Sequence, residues 1–153
     1  MNLTIRQLKP GEVPPYHLLM LADPSRKQID KNLDKGLVYL AFIKDQLVGT
    51  FVIKKLREEV FEVVNIAVKE SYRQQGLGKQ LLEAAEIEIR LRGGSYIEIG
   101  TGNSSLNQLM FYQKSGFRMK EIWVDFFTKN YEEPIEENGI PCLDMVRLYK
   151  ALD

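Results

Sequence analysis

Residues 73–78 read RQQGLG, and the next residues, KQLLEAAEIEIRLR, carry a helical pattern. Leu77, Leu81, Leu82, Ala85 and Ile89 recur at helical spacing, which predicts one helix over 76–92, stopped by Gly93-Gly94. Glycine inside a helix costs about 1 kcal/mol against alanine, so two glycines at the mouth of this one need a reason. The stretch before them, FEVVNIAV (61–68), is largely apolar on both faces and reads as a strand buried on both sides. The first N–H groups of a helix have no internal partner and sit at the positive end of its dipole. A bare glycine backbone just before them lets a phosphate come close. The alternative is that Gly76 and Gly78 only make a tight strand-to-helix turn.

The rest of the chain supplies the elements around this unit. Leu3, Ile5 and Leu8 predict a short first strand, closed by Pro10-Gly11. One or two short helices follow, with Asp23 capping ahead of Pro24 and Gly36 ending the region. LVYLAFI (37–43) and LVGTFVIKKL (47–56) form a hairpin through KDQ. SYIEIG (95–100) is a strand, and Asn103-Ser104-Ser105 opens a second helix that runs to about Lys114 before Ser115-Gly116. FRMKEIWVDFFTKN (117–130) is predicted as one long strand, NYEEPIEENG as an acidic loop, and IPCLDMVRLYKAL as the last strand. The order is strand, helices, three strands, helix, strand, helix, two strands. It predicts a single domain over 1–153, an α+β fold with a mixed sheet covered by helices.

Composition narrows the partners. Lys plus Arg number 21 and Asp plus Glu number 21, a balance that argues against a general nucleic-acid or membrane-surface binder. No apolar run has the length of a membrane span, and MNLTIRQLKPGE has no signal-peptide pattern, so a cytoplasmic protein is expected. The single cysteine, Cys142, allows no internal disulfide, and no metal-binding set of residues is present.

Two phosphate-binding motifs fail on their spacing. A Walker A loop ending at Gly78-Lys79 needs glycine at 73 and Ser or Thr at 80, where the chain has Arg and Gln. A dinucleotide fingerprint needs glycine at 81, where there is leucine. The stretch VNIAVKESYRQQGLGKQLLEAA instead resembles the acyl-coenzyme A signature of the GNAT superfamily of N-acetyltransferases, in Arg73, Gly76 and Gly78. Downstream, NQLMFYQKSGF (107–117) resembles the second motif of that family. The resemblance implies an α/β/α layered fold with a mixed, mostly antiparallel sheet of six to seven strands. It implies acetyl-coenzyme A as co-substrate, with no metal. The strand end Ile66, Ala67 and Val68 and the loop Arg73, Gln74, Gln75, Gly76, Leu77, Gly78 and Lys79 would hold the coenzyme, the loop backbone taking the pyrophosphate. A backbone N–H in Asn65-Ile66-Ala67, where the family strand bulges, would hold the thioester oxygen. Asn103 and Asn107 would bond the pantetheine arm, or serve only at the helix start.

The reaction implied is acetyl transfer to a primary amine, directly in a ternary complex. An alkyl ammonium with a pKa of about 10.4 is mostly protonated at neutral pH, so a base is useful. Glu62, in EVVNIAV, matches the place where some family members carry a base, and it either takes the proton or orients the substrate. Glu59 is at an odd offset from it and faces elsewhere. Tyr112 matches the family tyrosine near the sulfur, where a phenol assists the departing thiolate; its alternative is packing beside Phe111. His17 has no supporting cluster and Cys142 reads as buried filler. Glu132, Glu133, Glu136 and Glu137 in the acidic loop, with Asp125 and Asp144 flanking, form either a rim for a cationic amine or a solvated loop. Such an amine is an aminoglycoside, a polyamine or a peptide amine. The other class of function is an acyl-coenzyme A sensor without turnover. The apolar stretches IWVDFF and MVRLY predict a homodimer through the C-terminal strands.

Overall fold

In a computed structural model, which describes residues 2–153, the chain is organised by one seven-stranded sheet in the order β1-β2-β3-β4-β5-β9-β6. The strands are β1 (Thr4–Gln7), β2 (Leu37–Ile43), β3 (Gln46–Arg57), β4 (Val60–Val68), β5 (Tyr96–Gly102), β6 (Arg118–Trp123) and β9 (Met145–Ala151). A separate two-stranded ribbon joins β7 (Glu136–Glu137) to β8 (Ile140–Pro141). Every neighbouring pair in the main sheet is antiparallel except β4 and β5, which run parallel. That parallel junction needs a crossover, and the glycine-rich loop with α3 (Leu77–Leu91) supplies it.

Helices cover both faces. On one side the apolar stripe of α3 (Leu81, Leu82, Ala85 and Ile89) packs on Phe51, Ile53, Phe61 and Val63, with Leu109 and Phe111 of α4 (Leu106–Lys114) beside it. On the other, Leu19 of α1 (Tyr16–Ala22) and Ile29 of α2 (Arg26–Leu33) pack on Val38, Leu40 and Val52. The mixed, mostly antiparallel sheet between helical layers is the α+β architecture expected.

Two features of β4 place the site. Its pairing with β5 stops after Val60↔Tyr96, Phe61↔Ile97 and Glu62↔Glu98, so the two strands part beyond Glu62. It also bulges: Val52 faces Asn65 and Ile53 faces Val63, leaving Val64 as the extra residue. The bulge lies just before the expected stretch Asn65–Ala67. It resets the alternation, so that Phe61 and Val63 before it and Ile66 and Val68 after it pack into the core beneath α3. Asn65 faces the other way and donates from Nδ2 to the Leu19 carbonyl at 3.1 Å, tying α1 to the bulge.

The C-terminal third departs from the sequence expectation. The strand predicted over 117–130 ends at Trp123, and a short helix α5 (Phe126–Asn130) follows. Asp125 takes a left-handed conformation (φ 61°), and its N–H donates to Asp144 Oδ1 at 2.8 Å, which pins the turn. Phe126 and Phe127 then pack with Trp123 and Tyr131 instead of alternating across a sheet. The predicted last strand breaks into β8 and β9, because Asn103 Oδ1 accepts from the N–H groups of Leu143 and Asp144 and holds that segment out of the ladder. Asp125 and Asp144 are therefore turn residues. Upstream, Ser25 rather than Asp23 caps α2, accepting from Gln28 N at 3.2 Å, while Asp23 Oδ1 accepts from Ser25 N and Tyr131 OH.

Candidate active site

The turn after β4 exposes an unusual run of donors. Lys69 N donates to Val48 O, a 3-10 turn spans Glu70–Tyr72, and Gln80 N begins the helical ladder on Gly76 O. Between them, the backbone N–H groups of residues 74–79 find no acceptor among the described residues. Gln74 (φ 62°) and Gly76 (φ 80°) are left-handed, which turns the chain so that these groups converge at the helix mouth. The two glycines have different reasons. Gly76 is needed for its φ. Gly78 is not: a Cβ there would meet only the Phe111 ring, at 3.5 Å, an ordinary contact. The protein's own packing would accept a β-carbon at 78. The bare backbone and open donors fit a pyrophosphate group.

A cleft of about 830 Å³ runs from this loop between α3 and α4. Ile66, Ala67, Val68, Arg73, Gln74, Gly76, Leu77, Gly78, Lys79 and Asn107 all line it. Its other end reaches Leu21 and Ala22 of α1 and Glu137 and Asn138 of the β7–β8 ribbon. The Asn107 side chain borders the cleft and makes no hydrogen bond among the described residues. Arg73 braces the loop, donating from Nε to Val68 O at 3.3 Å.

Four predicted residues lie apart from the cleft lining. Gln75 is in the loop but does not border the cavity. Asn103 spends its amide on scaffolding, donating to Pro141 O at 3.0 Å and accepting from residues 143 and 144. Tyr112 is 5% exposed and packs on Phe111 and Phe117. Burial pushes its phenol well above the ordinary range, so it keeps its proton and is suited to hydrogen bonding rather than ionising. Glu62 sits on the last rung of the β4–β5 ladder, on the sheet face opposite α3. Glu59 is in the β3–β4 turn, where it accepts from Ser95 Oγ.

Glu62 belongs to a charge cluster that sequence reasoning missed. Its Oε2 accepts from Arg147 Nη1 at 2.8 Å, and Arg147, 2% exposed, also donates to Glu98 Oε1 at 3.3 Å. Glu98 pairs further with Lys120 at 2.8 Å and with Arg57. Burial disfavours the Glu98 charge, but Lys120, Arg57 and Arg147 outweigh it and hold the carboxyl at about 2. The Trp123 ring lies over the Arg147 guanidinium at 4.3 Å. One signal was available: an arginine inside the apolar run MVRLY. Among the loop glutamates, Glu137 borders the cleft, and its Oε1 accepts from Ser105 Oγ at 2.6 Å. Cys142 is buried, which raises its thiol and leaves no activated nucleophile there.

A strand that parts from its parallel neighbour beside an open-donor loop is the architecture of an acyl-coenzyme A site. The family model for the acetyltransferase (GNAT) family matches residues 6–117, and the chain belongs to that family. It is 52% identical over 137 residues to YvbK, an uncharacterized N-acetyltransferase of Bacillus subtilis (strain 168), across 90% of this chain and 88% of that one. The fold matches a GNAT family acetyltransferase from Elizabethkingia anophelis with acetyl-CoA bound, at a TM-score of 0.96 and 44% identity, over 99% of both chains. It also matches a Bacillus subtilis acetyltransferase in complex with CoA, at a TM-score of 0.92 and 48% identity, over 99% of this chain and 100% of that one. The chain is an acetyl-CoA-dependent N-acetyltransferase.

Proposed function

We propose that the enzyme transfers an acetyl group from acetyl-CoA directly to the primary amine of a small cationic molecule or a peptide. The single observation that carries this reading is the parting of β4 from β5 beyond Glu62, with the open-donor loop at one end and Glu62 at the junction. In this reading the N–H groups of residues 74–79 take the pyrophosphate. The pantetheine arm lies along Ile66–Val68 and Asn107. Past Glu62, the β4 edge facing β5 has no strand partner, so its outward N–H groups are free to bond the thioester oxygen. The ammonium gives its proton to Glu62, directly or through water. Its nitrogen forms the C–N bond as the C–S bond breaks. Tyr112 donates a hydrogen bond to the departing thiolate.

A cationic acceptor is supported by the carboxylate oxygens that the protein leaves unbonded, Glu62 being ion-paired with Arg147 through its other oxygen. Glu62 stands at the junction and Glu137 at the cleft end, each with one oxygen bonded within the protein. Thiol release from acetyl-CoA over a panel of aminoglycosides, polyamines, amino acids and peptides tests the reading. Turnover confined to cationic amines is expected; acetyl-CoA binding without turnover across the panel contradicts it. We also infer a homodimer through β6, a sheet-edge strand whose Met119 (54% exposed) and Ile122 (51% exposed) lie open. Sedimentation at micromolar concentration should give the dimer mass, and a monomer would end that part of the proposal.

A further inference from the structure

We propose that Arg147 is a positioning residue for Glu62: it crosses the face of β5 to hold one carboxylate oxygen and leaves the other for the acceptor amine. The inference rests on the role given to Glu62 above.

The reach of this side chain is what needs explaining. Arg147 lies on β9, and β5 stands between β9 and β4. Its guanidinium must pass over β5 to meet Glu62, and it does so at Gly100, the residue opposite it in the ladder. A Cβ at Gly100 would stand 2.7 Å from Arg147 Nη1 and 2.6 Å from Met145 Sδ. Gly100 does not have the positive φ that demands glycine; its bare Cα gives clearance to the guanidinium and to Met145 together. The passage is then locked. Trp123 covers the guanidinium at 4.3 Å, Nη2 is held by Glu98 Oε1, and Nη1 reaches Glu62 Oε2 at 2.8 Å.

Stability does not account for this arrangement. Arg147 is almost fully buried and its Nε has no partner among the described residues. A buried cation with an unmade hydrogen bond is costly, and apolar replacements of such pairs are often neutral or stabilising. Glu98 does not need Arg147 either, since Lys120 and Arg57 already pair with it. What Arg147 alone supplies is the contact to Glu62, on the last rung before β4 and β5 separate. Glu62 Oε2 is occupied by that contact, and Oε1 takes no hydrogen bond among the described residues. One oxygen is anchored and the other presented. Without the anchor the carboxylate would turn freely about its side-chain bonds, and a misplacement of about 1 Å is enough to cost roughly 10²-fold in rate.

The test is a double-mutant cycle on the panel amine that the wild type acetylates fastest, with crystal structures of the variants. Arg147→Gln should lower kcat about 10–100-fold and leave the acetyl-CoA Kd unchanged. In a Glu62→Gln background the same change should cost less than about three-fold, because its effect passes through the carboxylate. Gly100→Ala keeps the arginine but displaces its guanidinium, and should reproduce the loss if Arg147→Gln folds poorly by thermal melting. In crystals of either variant the Glu62 carboxylate should leave its present place, a readout that needs no acceptor. An equal loss in both backgrounds, or a Glu62 that holds its position without Arg147, overturns the proposal. Should Glu62→Gln be slow while Arg147→Gln is not, the reading of Glu62 stands and only this inference falls. Should Glu62→Gln cost nothing, both fall together.

Discussion

The two sides of the β4–β5 junction are built from different materials. The side we propose for the coenzyme is backbone: donors of residues 74–79 left open, a left-handed Gly76, and a Gly78 that leaves space in front of the helix. Its parts are neighbours in sequence. The side we propose for the acceptor is side chains: Glu62 from β4, Glu98 from β5, Arg147 from β9 and Trp123 from β6. Its parts are already bonded to one another. A backbone site recognises what all acyl-coenzyme A molecules share and tolerates change in most side chains around it. A side-chain site recognises what differs between acceptors, and one substitution alters several bonds at once. The family match ends at residue 117, so β6, α5, the ribbon and β9 lie outside it. Of the proposed acceptor side, Glu62 and Glu98 lie inside the match, and Trp123 and Arg147 lie beyond it.

The largest effect that would sharpen this division is on the acceptor side. Glu62→Gln keeps size and removes basicity, and should lower kcat/KM at neutral pH by up to about 10²–10⁴-fold. Acetyl-CoA affinity should barely change, and raising the pH should recover much of the loss as free amine becomes available. A loss that is the same at every pH would make Glu62 an orienting group and not the base. Tyr112→Phe comes next. Loss of one hydrogen bond to the thiolate is worth about 1.4 kcal/mol, or ten-fold in kcat, with coenzyme affinity nearly unchanged. Wild-type turnover across pH would leave Tyr112 as packing between Phe111 and Phe117. Glu137→Gln should be milder, because Glu137 is exposed. We expect the acceptor KM to rise about two- to five-fold, less at high salt; an unchanged KM at low salt would remove Glu137 from the acceptor rim.

How much of this was legible follows from the same division. The strand, loop and helix of the proposed coenzyme side could be read because RQQGLG places its glycines between a strand and a helix that are themselves strongly patterned. The acceptor side could not, because its contacts join residues far apart: Glu62 with Arg147, and Glu98 with Arg57 and Lys120. Asn103 looked like a ligand-binding amide at a helix start. It holds the 141–144 segment, a role visible only once that segment is brought beside it. IWVDFF alternates well enough for a strand, and nothing near it in sequence announces that Asp144 fixes a left-handed turn at Asp125.

The smallest effect concerns the cluster's own cohesion. Burial raises the Glu98 carboxyl, but its three cations hold it at about 2, below the reference of 4.5. A folded-state value below the unfolded one stabilises the protein above about pH 4.5. That contribution is lost as the pH falls from about 4.5 toward 2. Lys120→Met removes one of the cations and should therefore flatten the decline of stability in that window. Denaturation curves as steep with pH as the wild type's would show that Lys120 adds nothing to the cluster.

The central claim is that the bare backbone before α3 holds the pyrophosphate, and Gly78 isolates it because a β-carbon there meets only the Phe111 ring, at ordinary contact distance. Calorimetric titration of acetyl-CoA into folded Gly78→Val, beside the wild type, tests it most directly. The account predicts affinity weakened ten-fold or more, about 1.4 kcal/mol or above, at an unchanged melting temperature. A folded variant that binds acetyl-CoA as tightly as the wild type would contradict it.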